Sequence, residues 1–393
     1  MSAKRDWRSS QREMRFQRRQ VSAQLLVQHA RAGAGLSPDG REGFAAPLRP
    51  ASCRHAAGAS VGVVADSLGS PATFSGLIHC GSVWACPVCS ASIRQGRADE
   101  VTTASKWWER REGGAFLFAT FTLRHRLDDS LEQNLDALTQ AFRSLIMGAP
   151  WKRFAARHGI RHQIKAVEVT RGENGWHPHL HVLWFVERAL SDVQRREARA
   201  WLSARWRRFV VKHGGRLPSD ERGVDLRDVQ HGNVVSLYLA KLQEHDRARS
   251  FKIGNEMARL DLKKGRLDSL TPFELLDFDG LDEDEREERA RLWVEWVETT
   301  RGRRALTWSR GLKAAAGIED VDDQELADDE PGDEVDVTSV AIRRRDWKRV
   351  QNDPAKLCRI LELAEAGRWE RISQVVPCSA TRCGPESARA EAA

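Results

Sequence analysis

The sequence predicts an α+β fold: a central antiparallel β-sheet backed by helices, with a small cysteine-rich module ahead of it and a helical part behind. Three observations carry this. Residues 115–124 (Ala-Phe-Leu-Phe-Ala-Thr-Phe-Thr-Leu-Arg) are rich in aromatic and β-branched side chains and read as a buried strand. Residues 163–170 and 176–186 alternate in polarity and flank Asn174-Gly175, a strong hairpin dipeptide. Helical patterns separate these strands, giving β, α, β-hairpin, α, β, α, the order of one antiparallel layer covered by helices.

The elements follow in chain order. Residues 1–52 are basic, then rich in Gly, Ala and Pro without sustained periodicity, and read as a mostly mobile arm with room for a short helix. Residues 53–98 are dominated by cysteines. Within 99–250, Leu131, Leu135, Leu138 and Phe142 recur at helical spacing behind Asp129 or Ser130 as cap. Ser191 caps an Arg-rich helix over about 191–213, with Trp201, Ala204 and Val211 as its apolar stripe. A short strand near 223–229 and a helix near 233–245 close this region. Residues 251–315 read as a mixed extension, partly helical, including Arg289–Thr300 with Leu292, Trp293 and Trp296. Then come an acidic linker (316–340), a small helical segment (341–376) around Leu357, Ile360, Leu361 and Leu363, and a disordered tail (377–393).

The chain has 393 residues, 41% hydrophobic and 30% charged, which excludes a wholly disordered protein and leaves room for two or three domains. Its net charge is +7, but residues 319–336 hold eleven acids and no base, so the rest carries +18. A basic body with a detached acidic stretch suits a polyanion partner, nucleic acid above all. Of 63 basic residues only 12 are Lys, a bias that fits guanidinium–phosphate contacts or a GC-rich coding sequence. No run of eighteen apolar residues suggests a membrane span, and the basic N-terminus lacks the apolar core of a secretory signal, so a cytoplasmic location is expected.

The seven cysteines are odd in number and unevenly placed. Cys80, Cys86 and Cys89 fall within ten residues, and Cys86-Pro-Val-Cys89 is a metal knuckle. A tetrahedral zinc ion needs a fourth ligand; Cys53 is the natural candidate, with His55 and His79 as alternates. Free buried thiols or a redox pair are the competing readings. Four thiolates leave no open coordination position, so such zinc is structural.

Residues 176–183 (Trp-His-Pro-His-Leu-His-Val-Leu) are the most informative. Alternate strand residues share a face, which aligns His177, His179 and His181. A two-residue turn at Asn174-Gly175 sets Glu168 opposite His181 and Thr170 opposite His179, with Val169 facing Leu180 and Val167 facing Val182 on the core side. Two imidazoles and a carboxylate then form a divalent-cation site with open positions: His179, His181 and Glu168. His177 reads as a phosphate or ligand contact, and Glu173 as a weaker alternative ligand.

The chain's one tyrosine, Tyr238, lies three residues before Lys241 on a predicted helix, so the two share a face. A phenol, with an ordinary pKa near 10, needs cationic or metal help to act as a nucleophile; the alternative is a Tyr packed among leucines.

A His-hydrophobic-His strand followed by a helix bearing Tyr-x-x-Lys resembles the HUH endonucleases, and in detail the rolling-circle replication initiator (Rep) proteins of the zinc-cysteine kind found in actinobacterial plasmids. Phe116–His125 looks like the family's first strand, Gly175–Leu183 like its metal motif and Tyr238–Leu242 like its tyrosine motif. Gly76–Cys89, Thr271–Leu276 and Trp308–Leu312 also look familial, and the resemblance spans about 53–313. It implies origin nicking by an HUH nuclease domain over 99–250. Tyr238 would attack a single-stranded or extruded phosphodiester of a plasmid double-strand origin, giving a 5′-phosphotyrosyl link and a free 3′-OH. Lys241 would assist. His179 and His181, with Glu168, would hold Mg²⁺ or Mn²⁺, while Zn²⁺ stays structural. Arg124, His125 and His177 would contact DNA. A host helicase and polymerase are implied partners. Relatives with two catalytic tyrosines cut twice; this chain has no second Tyr, and Val234 stands where some single-Tyr initiators carry a water-activating glutamate. Glu244, Asp225, Asp228 or a second protomer, as in a homodimer, are the substitutes. The alternatives are a relaxase or single-strand transposase of the same superfamily, or a zinc-dependent DNA-binding regulator without catalysis.

Overall fold

Alternating polarity in two separate parts of the chain builds two antiparallel sheets in an α+β fold. The computed structural model describes residues 2–33, 48–66, 71–112, 114–229, 269–328, 337–376 and 386–387. The strands are β1 (Ser60–Asp66), β2 (Thr73–Ser75), β3 (Ala115–Thr122), β4 (Ile160–Gly172), β5 (Gly175–Val186), β6 (Val224–Val229), β7 (Leu306–Trp308), β8 (Val337–Arg343) and β9 (Glu386–Ser387). The longer helices are α1 (Ser2–Gly33), α2 (Pro87–Glu109), α3 (Leu131–Leu145), α4 (Gly148–Arg157), α5 (Asp192–Lys212), α6 (Glu283–Thr300) and α7 (Pro354–Glu365). The chain divides into two compact units: residues 94–320, and residues 1–93 together with 321–393.

The 94–320 unit is built on a five-stranded sheet of order β6-β3-β5-β4-β7. One face is apolar: Phe121, Leu180, Val182 and Trp184 are buried under α3 and α5. Helix α3 starts where Ser130 Oγ accepts from the Gln133 amide, and turns Leu131, Leu135, Leu138 and Phe142 inward. Helix α5 starts at a Ser191–Gln194 capping box. Its buried stripe is Ala198, Leu202, Trp206, Phe209 and Val210, not the expected Trp201, Ala204 and Val211; Val211 is exposed, and Trp201 stacks on Phe154 of α4. Several α5 arginines are taken up by the fold: Arg199, Arg205 and Arg207 donate to backbone carbonyls of Asp220, Leu145 and Pro218. The other sheet face is half covered, where Val101, Ala104 and Trp108 of α2 pack on Phe116, Ile164, Leu183 and Phe185. The region expected as a mixed extension supplies β7 and α6 to this unit.

The hairpin register differs from expectation. Gly172 pairs with Gly175, so the two-residue turn is Glu173-Asn174 rather than Asn174-Gly175. Glu168 therefore stands opposite His179, not His181, and Thr170 opposite His177; Val167 and Val169 face Leu180 and Pro178. The slip is two residues, and strand faces repeat every two, so every side chain keeps its predicted face. Gly175 at the strand start has φ +89°, and a Cβ there would come within 2.7 Å of the Arg126 carbonyl oxygen, so the residue after the turn must be glycine.

The second unit has a four-stranded sheet of order β2-β1-β8-β9, which the sequence reading missed. Its central pair joins Val61 to Ile342 and Val63 to Val340, strands far apart in the chain. Residues 1–52, expected to be mostly mobile, contain the long helix α1, whose Phe16 enters a core with Phe74, Trp347, Ile360 and Leu361. The helix escaped notice because its buried positions include Arg18, Arg19 and Ser22, which carry no apolar signal. The expected acidic linker likewise contains a short helix, Asp323–Ala327, capped by Asp322, and the start of β8. Acids at that helix start are favoured by the exposed amides and the helix dipole. The arm, the cysteine module and the helical C-terminal segment thus belong to one unit. The helix expected at 233–245, with Tyr238 and Lys241, lies outside the described residues, as does most of the tail.

Candidate active site and metal centre

The half of the 94–320 sheet face that α2 leaves uncovered carries the polar residues. Register places Thr120 beside His181 and Thr122 beside His179 across β3–β5, and Glu168 beside His179 across β4–β5. Both imidazole Nε2 atoms meet one carboxylate oxygen, Glu168 Oε2, at 2.5 Å (His179) and 2.7 Å (His181). The three ligand atoms lie within 4.8 Å of one another, a spacing that a cation about 2.1 Å from each would satisfy. Burial acts to raise the Glu168 carboxyl, but the His179 charge and hydrogen bonds from both imidazoles outweigh it and hold the group well below the usual carboxylate range.

Two neighbours fix the imidazole of His181. Its Nδ1 is 3.1 Å from Thr120 Oγ1, and its ring stacks on Phe118 at 5.4 Å between centroids. With Nδ1–H donating to the threonine, release of the Nε2 proton that Glu168 accepts here would turn the Nε2 lone pair to a metal. His181 is buried, whereas His179 and Glu168 keep 13% of their side-chain surface, so the site opens to solvent on their side. Sequence reasoning missed Thr120 and Phe118: only the β3–β5 register brings them to His181.

Beyond His179 the aromatic row continues through His177, which stacks on His125 at 4.7 Å. Burial holds the His125 imidazole's pKa below its ordinary value. Arg124 is exposed in a bridge to Arg216. Glu173 sits exposed in the hairpin turn, apart from the three-ligand cluster. Of the acids considered for a second cut, Asp225 lies on the histidine face opposite Thr120, ion-paired to Arg227 at 2.6 Å. Asp228 pairs opposite Leu117 on the other face and is held by Arg195; Glu244 lies outside the described residues.

The other unit gathers Cys53, Cys80, Cys86 and Cys89. Their sulfurs stand 3.4 Å (53–89), 3.6 Å (53–86) and 3.7 Å (80–89) apart, close to the roughly 3.8 Å edge of a tetrahedral zinc–thiolate centre with 2.3 Å bonds. All four are buried, and the Cys89 amide points at Cys86 Sγ at 3.5 Å. Hydrogen bonding to Cys53 and burial push the Cys80 and Cys86 thiols up, as expected where thiolates crowd together with no cation between them. The buried Arg19 donates to the Cys53 carbonyl at 3.0 Å. The alternate ligands stand apart from this cluster: His55 is exposed, and His79 Nδ1 bonds Asp328 at 2.9 Å. The cluster has the donor set of a metal site, zinc being the cation it suits.

A family model described as "Replication protein" matches residues 77–212. Among curated proteins, the chain is 33% identical over 355 residues to Protein rep of Streptomyces lividans, covering 73% of this chain and 75% of that protein. It is also 36% identical over 149 residues to a Streptomyces cyanogenus protein named Neomycin resistance protein, covering 32% of this chain and 34% of that protein. No solved structure matches the chain. The chain belongs to the Rep family of plasmid replication proteins.

Proposed function

We propose that this Rep protein starts rolling-circle replication by nicking and rejoining one strand of its plasmid's origin, as an HUH-type endonuclease. The observation that carries the reading is the Glu168–His179–His181 cluster: three ligands on a rigid sheet face, open on one side. A divalent cation held there, Mg²⁺ or Mn²⁺, would polarise a phosphodiester and stabilise the charge that develops on it. His177, His125 and Arg124 extend the same edge and are suited to steering the DNA backbone.

Tyr238 is the nucleophile of this reading. Its phenol oxygen bonds to phosphorus, the P–O3′ bond breaks, and the departing 3′ oxygen takes a proton to become the primer terminus. Reversal needs no ATP, because the phosphotyrosyl ester conserves the bond energy. Lys241 would stabilise the phenolate. In a second cut, Asp225, which stands opposite Thr120 on the histidine face, would activate water. The cysteine cluster would hold structural zinc.

The test is incubation with Mn²⁺ and a single-stranded oligonucleotide carrying the origin, followed by denaturing electrophoresis for a protein–DNA adduct. Wild type should form it and Tyr238→Phe should not, while still binding DNA. An adduct that survives in Tyr238→Phe rejects the nucleophile; no adduct in wild type leaves a binder rather than a nickase.

A further inference from the structure

Arg343-Arg344-Arg345-Asp346-Trp347-Lys348-Arg349 places five cations and one acid in seven residues, at the end of β8 and along the short helix Arg344–Val350. The acid does not neutralise the surface, because Asp346 is buried while all five cations are exposed. Among the described residues, neither Arg344 nor Lys348 has a carboxylate within ion-pair reach; Arg345 and Arg349 each stand 3.7 Å from the buried Asp346. Arg344 and Lys348 are four apart, as are Arg345 and Arg349, so like charges are stacked on the same helix faces. Such like-charge pairs destabilise a helix. The arrangement costs stability and presents positive charge.

The platform under these cations is fixed. Trp347 is fully buried, packs edge-on against Phe74 at 4.9 Å and donates to the Arg54 carbonyl at 3.1 Å. The Arg344 amide donates to the Ala59 carbonyl. Arg19 bonds the Cys53 carbonyl and, with its other nitrogen, the Gln351 carbonyl and Asn352 side chain at 3.1 Å. One buried guanidinium therefore ties the cysteine cluster to the turn that follows the basic helix.

We infer that this surface is a second DNA-binding site, one that holds the phosphate backbone of duplex DNA. Duplex is favoured over single strand because single-strand sites add exposed aromatic rings for base stacking, and the aromatic residue of this segment is buried. A row of rigidly mounted cations without base-stacking partners suits phosphate contact, which positions a duplex without reading it. The inference does not depend on nicking by the other unit.

The experiment uses the full chain with Arg344→Ala/Lys348→Ala, and measures binding to a short duplex of arbitrary sequence across a salt series. Affinity should fall by roughly tenfold and the log–log salt slope should shrink by about 2, with zinc content and melting unchanged. Arg344→Lys/Lys348→Arg should keep the wild-type slope. Arg359→Ala, an exposed cation ion-paired to Glu362 on α7, should change neither quantity. An unchanged slope in the double alanine variant overturns the site, as does an equal loss in Arg359→Ala, which would mean bulk charge. Adduct formation on a single-stranded oligonucleotide, read in parallel, should be unaffected by the double variant; failure of nicking in wild type would leave the duplex result standing. A double variant that loses binding to anionic lipid vesicles but not to duplex would assign the surface to a membrane instead.

Discussion

The two ligand clusters of this protein solve opposite problems. The cysteine cluster uses four identical donors, all buried, three of them within ten residues of chain. Its geometry is closed, so a metal there can only hold structure together. The Glu168–His179–His181 cluster uses three donors from two strands, and its positions follow from sheet register rather than from a local knuckle. It keeps an open side, which a substrate oxygen needs. A saturated coordination shell belongs to the fold, and an unsaturated one to chemistry.

The contrast can be broken in several ways. Cys86→Ser should lose the metal and destabilise the protein by on the order of 5 kcal/mol, read as metal content by atomic absorption and as melting temperature. Unchanged melting would show that the cysteines are no more than buried thiols. His179→Ala should do the reverse: nicking falls more than about a hundredfold while melting stays near wild type. If His179→Ala unfolds the protein as Cys86→Ser does, the distinction between the clusters is lost.

Smaller effects sharpen it. Thr120→Val removes the hydroxyl that orients His181 and should weaken Mn²⁺ binding roughly tenfold, with nicking restored at saturating metal and by Thr120→Ser. In chelator, Glu168→Gln should cost stability at neutral pH. Because the native carboxyl is depressed, that contribution is complete above the ordinary carboxylate pKa of 4.5 and is lost as pH falls through the lower native value, so the two proteins should converge in acid melts. Ser191→Ala, which removes the α5 cap, should cost about 1 kcal/mol and leave cation binding at either cluster unchanged, setting the baseline for an ordinary structural loss.

Arginine shows how far composition can be read. The Arg bias of the composition fits phosphate contacts or a GC-rich coding sequence, and in the Arg-rich helix α5, Arg199, Arg205 and Arg207 donate to carbonyls of the fold. The cations of 343–349, in a segment that the sequence marked chiefly by its leucines, stand exposed. Charge is visible in sequence, but its partners are not.

What the sequence determined alone was local or periodic. Strand β3, the hairpin, the starts of α3 and α5 and the shared face of His177, His179 and His181 all follow from alternation, caps and turn residues. Faces survived even a two-residue error in register, because the strand period is two. The tertiary structure alone decided which residues meet across distance: β1 with β8, Phe16 with Leu361, Arg19 with Cys53 and Asn352, Thr120 with His181. Those pairings depend on loop closure and on the burial of groups, some of them charged, whose partners lie far away in the chain. No short window of sequence records either.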